Sequence, residues 1–142
     1  MCVTIFPRAD LEQKQVEHLS KRAAASEHAN DNGPLKAWDQ RAAESMLHAI
    51  IIPVSPMPIG ILYGHFMNTE LEVGWWVDIE WRSKKFTRPA VAAFGELLKL
   101  KHSNFTGKIH APIMTFGGNY DEKSRALLKE FMRVFFDDGI AR

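Results

Sequence analysis

A chain of 142 residues, 46% of them apolar and 25% charged, has enough material to bury one core and the balance of an ordinary globular domain. Its formal net charge of +1 excludes a strongly basic or acidic whole-molecule field, so recognition of a nucleic acid or an anionic cofactor has to be local. A single cysteine, Cys2, excludes an internal disulfide and fits a reducing compartment, and no Cys/His cluster has metal-ligand spacing.

Taken along the chain, "CVTIF" (2–6) predicts a short strand ended by Pro7. Asp10 is placed to cap a helix to about Ser26, with a weak apolar stripe at Leu11, Val16, Leu19 and Ala23. After the turn "NDNGP", Pro34 suits the first turn of a second helix with Leu35, Trp38, Ala42 and Met46 near one face. "AIIIPV" predicts a buried strand, "SPMP" breaks it, and "IGILYGHFM" predicts the next. The turn "NTE" leads into "LEVGWWVDIEW", completing an antiparallel meander. No signal pattern opens the chain, and the longest apolar run, "AIIIPVSPMPIGILYG", is broken by three prolines and too short to span a bilayer, so no membrane role is expected.

From Glu70 the residues alternate. Glu70, Glu72, Gly74, Trp76 and Asp78 fall on one face, and Leu71, Val73, Trp75, Val77 and Ile79 on the other. Thr87 can cap a third helix, with Pro89 in its first turn and Ala90, Phe94, Leu97 and Leu98 facing inward. "GKIHAPIMTF" predicts a strand parallel to the one before that helix. "GGN" turns into a fourth helix, "YDEKSRALLKEF", buried through Leu127, Leu128 and Phe131, and "RVFF" predicts a last short strand. The order describes one α/β domain over 1–142, with a mixed sheet flanked by helices.

The connection "WRSKKFTRPAV" joins a strand to a helix N-terminus, a place where proteins often hold phosphate. It carries four basic residues, Arg82, Lys84, Lys85 and Arg88, and no glycine. The plain alternative is a solvated basic loop. A nucleic-acid contact through the same four residues is disfavoured by the near-zero net charge.

The element order, with "PIGILYGHFMNTELEVGWWVDIEWRSKKFTRPAVAAFGELL" and "APIMTFGGNYDEKSRALLKEFMRVFF", resembles the GNAT superfamily of N-acetyltransferases over nearly the whole chain. The tail "GGNYDEKSRALLKEFMRVFFDDG" is similar to the small acetyltransferase-like proteins of short-tailed phages, some of them internal virion proteins. The resemblance implies a three-layer fold with a splayed central sheet, and acetyl transfer from acetyl-CoA to an amine on a small molecule or protein. It implies a cytoplasmic location, or host cytoplasm or virion for a phage-encoded chain. The family loop begins with Gln or Arg and carries a glycine and a small residue. Here Arg82 matches, whereas Lys85 and Thr87 stand at the small positions, and Met132 and Arg133 replace the Gly-Phe after the last helix.

The resemblance further assigns a diphosphate cradle to Arg82, Ser83, Lys84, Lys85, Phe86, Thr87 and Arg88, and contact with the cofactor arm to Val77, Asp78, Ile79 and Asn119. It assigns the base to Glu72, with Glu70 behind it, and the acid to Tyr120. Each has a plainer alternative. Gly74 marks either a bulge in the fourth strand or room for a neighbouring Trp. Glu70 and Glu72 could be a solvated face, Tyr120 first-turn packing, and Asn119 a helix cap facing Glu122. His65 and His110 read as core or rim, and Trp75, Trp76 and Trp81 as core and cleft wall. Two functions follow: an active acetyltransferase, or a non-catalytic relative with a lost cofactor site, acting through phage or host protein partners.

Overall fold

Alternation along the strands decides the architecture, because both sheet faces end up covered. The computed structural model describes residues 3–25, 38–39, 46–82, 85–102, 105–110, 115–116, 119–120 and 122–136. Strands β1 (Thr4–Pro7), β2 (Met46–Ile51), β3 (Gly60–Met67), β4 (Glu70–Val77) and β5 (Lys108–His110) form a five-stranded sheet in that order. Neighbours are antiparallel as far as β4, and β4 pairs with β5 in parallel. Helices α1 (Gln13–Ala24), α2 (Thr87–Lys101) and α3 (Glu122–Phe135) accompany it, with a small hairpin of β6 (Thr115–Phe116) and β7 (Asn119–Tyr120).

Leu71, Val73, Trp75 and Val77 of β4 pack with Ile50 and Leu62 under Ala90, Val91, Phe94 and Leu98 of α2 and Phe131 and Phe135 of α3. On the opposite face Leu47, Ala49, Ile61, Tyr63 and Trp76 pack with Leu19 and Ala23 of α1 and with Trp38. This is the expected three-layer α/β arrangement, and the faces predicted for β4 are the observed ones.

The element ends differ from the sequence reading for local reasons. Helix α1 starts at Gln13 because Glu12, not Asp10, caps it: the Glu12 carboxylate accepts the Gln15 N–H, and Gln15 Oε1 accepts the Glu12 N–H at 3.0 Å. Asp10 lies in a 3-10 turn, Arg8–Asp10. Met46 opens β2 rather than closing a helix, since its alternation with His48 and Ile50 suits a strand. The remainder of the expected second helix lies outside the described residues, apart from a helical Trp38–Asp39. Residue Thr87 is the first of α2, with Phe86 in the cap position and no side-chain cap. "RVFF" continues α3 instead of forming a strand: Val134 and Phe135 follow Phe131 by three and four residues and are buried with it, so packing overrides β propensity.

His48 on β2 is 5% exposed and lies against Phe94, ring centroids 5.6 Å apart. Its Nδ1 has no hydrogen-bond partner among the described residues. Burial pushes the imidazole from 6.5 down to about 4, the Lys101 charge pushes the same way, and Asp10 opposes. An unfolded chain therefore takes up a proton below pH 6.5 that the folded one refuses until about pH 4. The stability held above pH 6.5 is lost as the pH falls through that window, up to about 3 kcal/mol. Denaturant titrations at several pH values should show a shallower acid loss in His48→Phe than in the wild type; parallel profiles would remove His48 as the cause.

Lys85 takes a φ of 66°, the left-handed region. For a residue with a β-carbon that conformation costs on the order of 1–2 kcal/mol. Glycine avoids the cost but loses about 0.5–1 kcal/mol to its freer unfolded chain. Lys85→Gly should raise stability by about 0.5–1 kcal/mol, a Tm rise of about 2–4 °C in thermal melts. A lower Tm would contradict the left-handed assignment.

Candidate functional site

Most of the residues named in the sequence lie at the end of β4, in the basic loop and at the start of α2. Strand β4 stops at Val77, four residues before the predicted end at Trp81. The cause is Asp78, whose side chain accepts the Glu80 N–H and begins a 3-10 turn, Ile79–Trp81. Asp78 is 4% exposed, and Arg22 of α1 reaches it with two hydrogen bonds, Nε to Oδ2 at 2.6 Å and Nη2 to Oδ1 at 2.7 Å. Burial alone would push the Asp78 carboxyl up, but the Arg22 hydrogen bonds and charge outweigh it and hold the carboxyl below its ordinary value. Ile79 is exposed.

The loop closes on itself. Arg82 Nε donates to the Val77 carbonyl at 2.8 Å, and the Trp81 and Phe86 rings meet edge to face at 6.0 Å. Lys85 then turns with positive φ, and Phe86 follows in the right-handed region. Successive residues of opposite hand point their N–H groups to one side, which makes an anion-binding concavity. The first turn of α2 adds the N–H groups of Thr87 and Arg88, which a helix leaves without internal partners, and Pro89 has none to leave. Residues Ser83 and Lys84 lie outside the described residues.

The cations are used unequally. Arg82 is turned back on the main chain. Arg88 pairs with Glu130 of α3 at 3.3 Å, and Arg133 meets the same carboxylate at 2.8 Å. The Arg133 hydrogen bond, together with Arg88, keeps the Glu130 carboxyl below its ordinary value against the opposing effect of burial. Lys85 is exposed, with no hydrogen-bond or ion-pair partner among the described residues. Where the loop meets an anion, Lys85 brings an uncommitted charge on a glycine-like backbone.

Further down β4, Glu72 is half-buried, and its Oε2 accepts the Tyr63 hydroxyl at 2.9 Å. It is therefore not simply part of a solvated face. Glu72 stands opposite His65 on β3 and His110 on β5, so the register gathers the predicted base and both strand histidines into one row. Gly74 does not mark a bulge on the β3 side, because the register runs unbroken from Gly60↔Val77 to Met67↔Glu70. Its role is clearance: a β-carbon there would sit 2.2 Å from Tyr63 Cε1. The neighbour it accommodates is a tyrosine, not a tryptophan. The parallel ladder with β5 covers Glu70–Glu72, and among the described residues β4 beyond Glu72 pairs with β3 alone.

Asn119 and Tyr120 form β7, pairing with Phe116 and Thr115. Helix α3 begins at Glu122, so Tyr120 precedes the helix and Asn119 is too early to be its cap. Glu70 is exposed at the start of β4, next to the hairpin turn.

Sequence reasoning missed Arg22 and Tyr63. Arg22 lies on a mostly polar helix 56 residues from its partner, and nothing local marks it. Tyr63 had a signal: a two-residue turn after Met67 places it opposite Gly74, on the same face as Glu72.

No protein-family model matches this sequence, and no curated protein does. Solved structures do. A ribosomal-protein-alanine acetyltransferase from Vibrio fischeri superposes with a TM-score of 0.59 at 16% identity, covering 91% of this chain and 78% of that one. A chimeric spermidine N-acetyltransferase SpeG from Vibrio cholerae gives 0.57 at 13%, with 91% and 78% covered. AAC(6')-Iy, in complex with a CoA-S-monomethyl-acetylneamine bisubstrate analogue, gives 0.55 at 12%, with 100% and 95% covered. The chain has the α/β fold of these acetyltransferases, the GNAT fold that its sequence resembles.

Proposed function

We propose that the chain is a GNAT-type N-acetyltransferase that moves an acetyl group from acetyl-CoA to an amine on a small molecule or protein. The observation that carries this reading is the backbone of the loop: Lys85 adopts positive φ where the family has glycine, directly before an uncapped helix N-terminus. The residues fit a diphosphate. The N–H groups of Lys85 to Arg88 supply donors, the helix dipole favours the anion, and Lys85 adds a charge. The end of β4 at Val77 is where the resemblance places an amide-bearing arm, and Asn119 lies on the strand pair before α3.

Acetyl-CoA, when bound, supplies a thioester ready for acyl transfer. Glu72 takes a proton from the acceptor's ammonium, directly or through one water, which frees the nitrogen lone pair. The Tyr63 hydroxyl fixes the direction of that carboxylate. Tyr120 is retained as the proton donor to the departing thiolate.

One observation favours the second reading, a non-catalytic relative of phage type. Two loop arginines already have partners within the chain, Arg82 the Val77 carbonyl and Arg88, which is exposed, the Glu130 carboxylate. Calorimetry and thermal shift with acetyl-CoA separate the two. At 100 times its dissociation constant the ligand should stabilise the fold by about 2.7 kcal/mol. No shift at millimolar cofactor would sink the enzyme and favour the relative.

Where binding is seen, Lys85→Glu should weaken it by about tenfold or more, about 1.4 kcal/mol per tenfold. An unchanged affinity would take the loop out of the site. Glu72→Gln should leave cofactor affinity intact and lower turnover by about 100-fold or more. Full turnover in that variant would assign the base elsewhere.

A further inference from the structure

Asp78 is the point at which α1, the end of β4 and the basic loop meet, and all its polar groups are engaged. Its carboxylate accepts the two Arg22 bonds and the Glu80 N–H at 3.4 Å. The Asp78 N–H donates to the Ile59 carbonyl and its own carbonyl accepts the Trp81 N–H, each at 2.8 Å. The next residue, Arg82, donates its N–H to the Ile79 carbonyl at 3.4 Å and its Nε to the Val77 carbonyl. The path from β4 into the loop is thus set by one carboxylate, and that carboxylate is set by an arginine from a helix elsewhere in the sequence.

The helix is also the one that covers the Glu72 face. Leu19 and Ala23 of α1 pack on Tyr63 and Trp76, and Tyr63 holds Glu72. Asp78 continues the same strand face, two residues beyond Trp76. The Arg22 side chain is 38% exposed and that of Asp78 6%, so the guanidinium keeps contact with water while it compensates a buried carboxylate. What a bidentate Arg–carboxylate pair does add is direction, since two parallel bonds fix the plane of both groups.

We infer that Arg22 and Asp78 are positioning residues for the basic loop: their side chains are turned to each other, and together they hold the turn from which Lys85 and the α2 N-terminus receive a diphosphate. They also key that turn to the helix over Glu72. The inference rests on the acetyl-CoA reading above.

The test is CoA affinity by calorimetry on the full chain. Arg22→Gln and Asp78→Asn should each bind CoA about tenfold more weakly. The double variant should be no weaker than the poorer single one, because both changes undo the same pair. Val16→Ala, which loosens α1 packing without touching the pair, should keep wild-type affinity, and a merely structural role would weaken all three alike. Hydrogen exchange should show the Trp81 and Arg82 amides losing protection in Arg22→Gln. Affinity within twofold of wild type in a folded Arg22→Gln overturns the inference and leaves the acetyl-CoA reading standing. A wild-type chain that does not bind CoA overturns both.

Discussion

A buried carboxylate has to be paid for by a partner, and the site depends on how Asp78 meets that demand. Unpaired, it would be driven to protonate or to pull water into the end of the sheet. Paired with Arg22, it stays charged, ends β4 after Val77 and starts the turn that leads into the basic loop. The same pairing joins the two ends of the proposed chemistry, because α1 lies over the face that carries Tyr63 and Glu72. The bond that shapes the loop therefore also seats the helix above the carboxylate.

A second constraint runs through Tyr63. Its ring lies over Gly74 and its hydroxyl reaches Glu72, so one side chain explains a missing β-carbon and an oriented carboxylate. A strand glycine is usually a weak point, since it buries nothing of its own and frees the unfolded chain. Here the cross-strand ring covers the gap. The carboxylate keeps its direction because the Tyr63 hydroxyl holds it and the β3–β4 register runs unbroken through Glu72.

Much of the fold was legible because its signals are local. Alternation in β4, the prolines and the turn "NTE" mark the meander, and the spacing of Ala90, Phe94 and Leu98 marks α2. What was not legible depended on distant partners. "RVFF" has strand residues, but Phe131 and the α2 face make Val134 and Phe135 more valuable on a helix. Met46 follows a helical spacing, but its place against the α2 layer makes it a strand residue. For the site, Lys85 and Glu72 could be named from neighbours in sequence. Arg22 could not, because its importance exists only once two segments 56 residues apart have met.

The positive φ of Lys85 has a consequence for how such loops are read. A glycine in a phosphate loop is usually taken as indispensable, yet what an anion meets is a set of N–H directions, not an absent side chain. With Arg82 bonded to Val77 before it and α2 following it, Lys85 takes the left-handed conformation at a cost of roughly 1–2 kcal/mol. That is a modest fraction of a typical domain's stability. In a loop proposed to hold a diphosphate, a cation can therefore stand on a glycine-like backbone. The written motif and the geometry it stands for are then separate things.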